Sequence, residues 1–389
     1  MTELPSTERL LFGPGPSLVT PRVMRALGAP VLGHLDPQFV GIMDDLRARL
    51  ARTMRAPEGA LALAVSGTGT AAMEAAVANL VEPGTSVLVV VTGYFGARLV
   101  EMCTRYGGAV SRVDGEWGRA IDPSAVEAAL SGGRFDLVAI VHAETSTGVR
   151  NPVREVASLA HAHGALVLVD AVTSLGGQEL DMAAWRIDAC YSGTQKCIGA
   201  PSGLAPLAFA PSALARRVKC RSFYLDLSLL EDYWVHRKYH HTMSASLVYA
   251  LNEALAAIDE EGLDARWARH AHAHRLFASA IYAMGLELLP PAGERLMTLN
   301  TVRIPADVED AGVRTALRDG FNIEIGSGIG PLAGKIWRIG LMGAGATPTH
   351  VQLLVAALES VLARCGHRAT PGAGVAAVIA ASESAAVPR

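Results

Sequence analysis

The amino-acid sequence predicts an α/β fold in which buried parallel strands alternate with helices, divided between two domains. Short apolar runs rich in β-branched residues, such as Leu166-Val167-Leu168-Val169, stop at polar residues, which is how strands covered on both faces of a sheet read. Segments with apolar residues every three or four positions stand between such runs, as from Phe39 to Arg55, and mark amphipathic helices. The chain has 389 residues, half of them apolar, enough for a large core and more than one domain.

Leu10-Leu11-Phe12-Gly13-Pro14-Gly15-Pro16-Ser17 carries too much proline and glycine for a helix or a central strand, so it predicts an ordered loop or arm. His34-Leu35-Asp36-Pro37 then opens the helix from Phe39 to Arg55. Leu61 to Val65 reads as a strand, Ser66-Gly67-Thr68-Gly69-Thr70 as a turn, and Ala71 to Leu80 as an alanine-rich helix. That order collects free backbone N–H groups and the positive end of a helix at one point, where an anion such as phosphate is stabilised. Neither a Walker lysine nor a G-x-G-x-x-G spacing accompanies it, which disfavours ATP and NAD.

Ser86 to Val91 is the next strand, ending at Thr92-Gly93-Tyr94-Phe95-Gly96, where an aromatic ring can stack on a flat ligand. Phe135 to Val141 follows, with His142-Ala143-Glu144-Thr145-Ser146-Thr147-Gly148-Val149 at its end. Hydroxyls there can hydrogen-bond a ligand. The helix Pro152 to His163 leads to Leu166–Asp170, which delivers the Asp170 carboxylate at the carboxyl edge of the sheet. Val248 to Met284 predicts a long helical region leading into the C-terminal domain, where Leu299 to Ile304 and the segment around Phe321 to Ile325 read as strands. Arg338 stands alone on an otherwise apolar strand; burying it is costly, so it is expected to face a cleft and an anion. The Gly-, Ala- and Ser-rich residues after Arg368 predict a loosely packed tail.

Composition narrows the function classes. A formal net charge of −3 gives no basic field for nucleic acid or an anionic membrane, and no apolar run reaches the ~18 residues of a membrane helix. Five scattered cysteines have no metal-type spacing, and their odd number argues against a disulfide framework. The absence of a secretory pattern after Met1 and of a terminal Ser-Lys-Leu leaves the cytoplasm as the expected compartment. No metal is expected: His240 and His241 are adjacent, and His270, His272 and His274 alternate along a helix, spreading their rings over different faces.

Tyr191-Ser192-Gly193-Thr194-Gln195-Lys196-Cys197 places one lysine among small, hydroxylated and glycine residues. An amine with few charges around it sheds its proton more readily, and a neutral amine attacks a carbonyl to form a Schiff base. Together, Val169-Asp170-Ala171-Val172-Thr173-Ser174 and Ser192-Gly193-Thr194-Gln195-Lys196 resemble the class V, fold-type I pyridoxal-phosphate aminotransferases. Tyr239-His240-His241-Thr242 resembles an element of the alanine:glyoxylate and serine:pyruvate branch, and the resemblance runs from Leu10 to about Leu362.

The resemblance implies a large domain with a mostly parallel seven-stranded sheet and a smaller α/β C-terminal domain. The expected divisions are an arm over 1–20, a large cofactor domain over 21–250, a small domain over 251–365 and a flexible tail over 366–389. It assigns Lys196 and Asp170 to catalysis, with Asp170 paired to the pyridine nitrogen of pyridoxal 5′-phosphate. Thr68, Gly69 and Thr70 are expected at the phosphate, Phe95 on the ring, and Thr145 and Gln195 at the cofactor. Arg338 is expected to bind the substrate carboxylate and Gly15 to border the substrate. A homodimer with shared active sites would bring Tyr239 and Thr242 across to the partner's cofactor. The implied reaction moves an amino group from alanine or serine to glyoxylate or pyruvate. Ureidoglycine, aminoethylphosphonate or pyridoxamine as donor, cysteine desulfuration, and a cofactor-free scaffold remain the alternatives.

Overall fold

A computed structural model describes residues 8–386; residues 1–7 of the expected arm and 387–389 of the expected tail lie outside the described residues. Seven strands form the central sheet in the order Leu61–Gly67, Gly203–Phe209, Ala189–Tyr191, Leu166–Asp170, Leu137–Val141, Ser86–Val91, Ala109–Asp114. Gly203–Phe209 is antiparallel to both of its neighbours, and every other pair is parallel. The expected α/β fold with a mostly parallel seven-stranded sheet is thus the one found.

Parallel neighbours cannot be joined by hairpins, so helices return the chain and cover the sheet faces. The helix Val153–Ala162 buries Val153, Val156, Ala157 and Ala160, one stripe of a 3.6-residue period. Pro37–Thr53 starts where Asp36 accepts from the N–H groups of Gln38 and Phe39, and it buries Phe39, Met43, Leu46 and Leu50. The long helical region read from Val248 to Met284 is two helices, Ala245–Glu261 and Leu263–Ala283. They part at Gly262, whose φ of +79° a side-chain-bearing residue rarely adopts.

Apolar side chains gather in two main clusters. One surrounds the central sheet and draws on residues from Val23 to Ile258. The other runs from Ala273 to Leu362, takes in Val378, and includes Phe12 from near the start of the chain. Its sheet is antiparallel, in the order Leu299–Arg303, Ile336–Gly340, Gly326–Ser327. The early Gly/Pro-rich segment reaches it: Leu10–Leu11 pairs in parallel with Ile323–Glu324, and Phe12 is fully buried.

The chain end differs from its reading as a loose tail. Ala373–Ala386 is a helix, Val378 on it is 2% exposed, and a Cβ added at Gly374 would meet Val355 Cγ1 at 2.9 Å. Alanine is the strongest helix former, so its abundance favours a docked helix over loose coil. None of the described helices is long and apolar enough to cross a membrane.

Candidate active site

In an open α/β sheet, ligand groups collect beyond the carboxyl ends of the strands. Here Val141, Ala143 and Asp170 line one side of a cavity of about 560 Å³, counting the space open to solvent at its mouth. The turn after Leu61–Gly67 brings Thr68, Gly69 and Thr70 to it. Thr68 makes no side-chain cap, so the first N–H groups of the helix Gly69–Leu80 remain open. Gly69 is needed for close packing: a Cβ there would meet Val172 Cγ2 at 2.8 Å.

Phe95 also lines the cavity, from the first turn of the helix Tyr94–Arg105. A fully buried carboxylate holds that turn. Glu144 accepts from the N–H groups of Phe95 at 3.1 Å and Gly96 at 3.2 Å, and from the Ser146 hydroxyl at 2.6 Å. Glu144 is thus the scaffold that fixes the Phe95 backbone; burial pushes its carboxyl above the usual range. Thr145, beside it, is buried and lines the cavity.

Asp170 and Lys196 open on this same cavity. Asp170 accepts from Val172 N–H and from the Tyr191 hydroxyl, each at 2.9 Å. Tyr191 reaches it because the two residues are directly paired in the parallel ladder. Burial pushes the Asp170 carboxyl up to about 6, against the pull of those two donors. Lys196 moves the other way: burial lowers its amine to about 8, with the Arg338 charge acting in the same direction. Its Nζ donates to the Pro14 carbonyl, while Ser17 closes on the same loop with its hydroxyl 2.6 Å from Lys196 O.

Three features fit pyridoxal 5′-phosphate. A buried carboxyl with only neutral donors suits a cationic ring nitrogen, and open helix N–H groups suit a phosphate. Gln195 Oε1, at the cavity, is buried without a hydrogen-bond partner. Such an orphaned acceptor is uncommon unless a ligand completes it.

Other expected residues stand outside this lining. A Cβ on Gly15 would lie 2.5 Å from Lys196 Nζ, so this glycine borders the amine itself. Arg338, on Ile336–Gly340, donates from Nε to Ser327 O at 2.7 Å and has no carboxylate ion-pair partner among the described residues. Tyr239 and Thr242 are exposed and do not reach the cavity of their own chain. Among the described residues no three His, Cys, Asp or Glu side chains form a metal-binding group. His270 is instead taken up by Arg266 O and Gly343 N–H, and His274 by Asn300. Sequence reading missed Tyr191, whose role depends on ladder register, and Arg98, which lines the cavity and bonds Thr70. The spacing of Arg98 three residues beyond Phe95 was a usable signal for the second.

The model of the family described as Aminotransferase class-V matches residues 10–335. The (S)-ureidoglycine--glyoxylate transaminase of Bacillus subtilis is 38% identical, with 96% of this chain and 95% of that protein covered. A solved structure of an alanine--glyoxylate aminotransferase from Nostoc sp. superposes with a TM-score of 0.90 at 44% identity, covering 93% of this chain and 97% of that one. The pyridoxamine-pyruvate aminotransferase of Mesorhizobium loti gives a TM-score of 0.93 at 29% identity, with 98% and 100% covered. With a lysine and an acid on one cavity and this likeness along almost its whole length, the chain belongs to the class V aminotransferases.

Proposed function

We propose that the chain is a pyridoxal-phosphate transaminase that takes the amino group of alanine or serine and passes it to glyoxylate or pyruvate in two half-reactions. The observation that carries this reading is the single cavity shared by Lys196, Asp170 and the open helix start at Thr68-Gly69-Thr70. When bound, the cofactor supplies an aldehyde for an amine and a ring that accepts electron density from the substrate Cα. Lys196 Nζ would hold it covalently and would serve as the group that removes and returns the substrate's Cα proton. A buried amine lowered to about 8 suits both tasks near neutral pH. Asp170, its carboxyl fixed by the Tyr191 hydroxyl and Val172 N–H, would keep the ring nitrogen protonated. Phe95, Thr145 and Gln195 line the cavity, where Phe95 would cover the ring face and the other two would offer polar contacts around it. Arg338, tied at Nε, presents its remaining N–H groups to the substrate carboxylate.

The working form under this reading is a homodimer. Met24, Val31, Leu35, Phe223, Tyr224 and Tyr239 leave large apolar or aromatic surfaces exposed on the single chain, which favours burial against a second copy. Tyr239 and Thr242 of the partner subunit would then complete the phosphate end. The proposed division is a large domain over 21–250 and a small domain over 251–365, near the two apolar clusters, of which the first runs on to Ile258 and the second takes in Val378; the cytoplasm is the proposed compartment. A second reading, ureidoglycine as amino donor, is favoured by the Bacillus subtilis relative.

The test is a panel of single half-reactions on the loaded full chain: alanine, serine, ureidoglycine, aminoethylphosphonate, pyridoxamine and cysteine, each followed by absorbance for conversion of aldehyde to amine. Conversion by alanine or serine supports the first reading. Conversion by ureidoglycine alone moves the assignment to the second, and sulfide release from cysteine would end both. Borohydride reduction and mass measurement should place the cofactor on Lys196 and find none attached in Lys196→Ala.

A further inference from the structure

Arg98 lies on the helix Tyr94–Arg105, three residues after Phe95 and four after Tyr94, so the three side chains share a face. Its guanidinium carbon stands 5.0 Å from the Phe95 ring centre and 5.2 Å from that of Tyr94, within cation–π range. The rings are themselves fixed at the backbone, Phe95 by Glu144 and Tyr94 by the Ser146 hydroxyl at 2.9 Å. From this perch Arg98 Nη1 donates to Thr70 Oγ1 at 3.0 Å, bridging two helices at the cavity.

No carboxylate forms an ion pair with Arg98 among the described residues. The side chains lining the cavity include one acid, Asp170, and two cations, Arg98 and Lys196. Lys196 commits its amine to covalent attachment, which leaves Arg98 as the charge free to face an anion. A hydroxyl that accepts from a cation still has its own proton to donate. The bond from Arg98 therefore turns Thr70 into a donor beside the open N–H groups of the helix start.

Resting on the functional reading above, we propose that Arg98 anchors the cofactor phosphate, supplying its fixed positive charge and orienting the Thr70 hydroxyl toward it. The phosphate site thus extends beyond the glycine-hydroxyl turn to a second helix, the one that carries the ring-stacking Phe95. Arg98 couples the two, since the guanidinium that neutralises the phosphate also lies over that ring.

The test titrates the cofactor-free full chain with pyridoxal 5′-phosphate and, separately, with pyridoxal, which lacks the phosphate, following absorbance and protein fluorescence. Loss of a charge-assisted contact predicts that Arg98→Gln weakens pyridoxal 5′-phosphate about 10- to 100-fold and pyridoxal less than about twofold. Arg98→Lys should recover part of the loss, and Thr70→Val should add less to Arg98→Gln than it costs alone. Equal weakening of both ligands, or an unchanged affinity for the phosphorylated one, would overturn the assignment. If Arg98→Gln does not fold, Arg98→Lys decides: a loss confined to the phosphorylated ligand supports the proposal and no loss overturns it. A wild-type chain that takes up neither ligand would instead refute the functional reading itself.

Discussion

Gly15→Ala tests how tightly the arm closes on Lys196. Gly15 has φ +117°, outside the range that side-chain-bearing residues adopt without strain, and the backbone part of the change costs about 1–3 kcal/mol. The new Cβ would also meet Lys196 Nζ at 2.5 Å, Cδ at 2.7 Å and Cε at 2.8 Å. A clash with the amine alone could be relieved by a turn of the chain end. A clash that extends to Cδ requires the whole side chain to leave its place, and with it the bond from Nζ to the Pro14 carbonyl. Overpacking of that kind costs about 1–3 kcal/mol more. Lys196→Ala removes every atom in the clash and leaves the backbone cost alone. A double-mutant cycle in urea unfolding of the cofactor-free full chain, with midpoints compared at a common slope, should therefore show a coupling of about 1–3 kcal/mol. Equal destabilisation by Gly15→Ala in both backgrounds would mean that Lys196 does not lie against the arm in solution.

Attachment of the cofactor should follow deprotonation of Lys196. With the amine lowered to about 8, its neutral fraction at pH 7 is roughly one-tenth, so the attachment rate, read by absorbance, should rise about tenfold by pH 9 and then level. Arg338→Met removes a charge that lowers this amine, so the midpoint should move up; a wild-type midpoint near the ordinary lysine value would refute the burial argument. The same variant should raise KM for amino and keto acids about 10- to 100-fold by loss of a charge-assisted contact, measured in steady-state assays. Val378→Asp would bury an unpaired carboxylate under the last helix and should destabilise the chain by about 2–4 kcal/mol in urea. A change below about 0.5 kcal/mol, the size of a surface substitution, would show that this helix does not dock.

What was legible in the sequence follows from where each residue's role is decided. Ser86–Val91 and Leu166–Asp170 could be read to the residue because both faces are covered, so burial is written as an unbroken apolar run. Thr68, Gly69, Thr70, Phe95, Thr145, Asp170, Gln195 and Lys196 follow strand ends or turns whose geometry is local, and all eight line the cavity. Tyr191 holds Asp170 through sheet register, and no pattern within either strand states that register. The end of the chain departs from its composition for another reason: Gly, Ala and Ser together suggest looseness, but alanine's helix propensity and the burial of Val378 favour a docked helix.

The contact between Gly15 and Lys196 spans more sequence than the whole central sheet, so no local pattern states it and only the resemblance put Gly15 at the site; it bears on how the site is assembled. Phe12 O accepts from Gly340 N–H at 2.8 Å, on the strand that carries Arg338, and Phe12 N–H donates to Glu324 O at 2.8 Å. A few residues later, Ser17 N–H donates to Gln195 O at 2.9 Å, and Pro14 O accepts from Lys196 Nζ. One short segment is therefore bonded at one end to the arginine's strand and at the other to the lysine's loop. These two elements belong to different apolar clusters, which are also tied outside the arm where Arg266 Nη2 donates to Cys197 O at 2.7 Å and Thr301 Oγ1 to Thr147 O at 2.9 Å. Gly13-Pro14-Gly15-Pro16 spans the gap, and proline's fixed φ makes it a stiff spacer rather than a flexible one. The arm is thus one of the ties that hold the proposed carboxylate-binding group at its distance from the proposed proton-moving amine, so that a change in this segment should alter substrate alignment without touching either functional side chain.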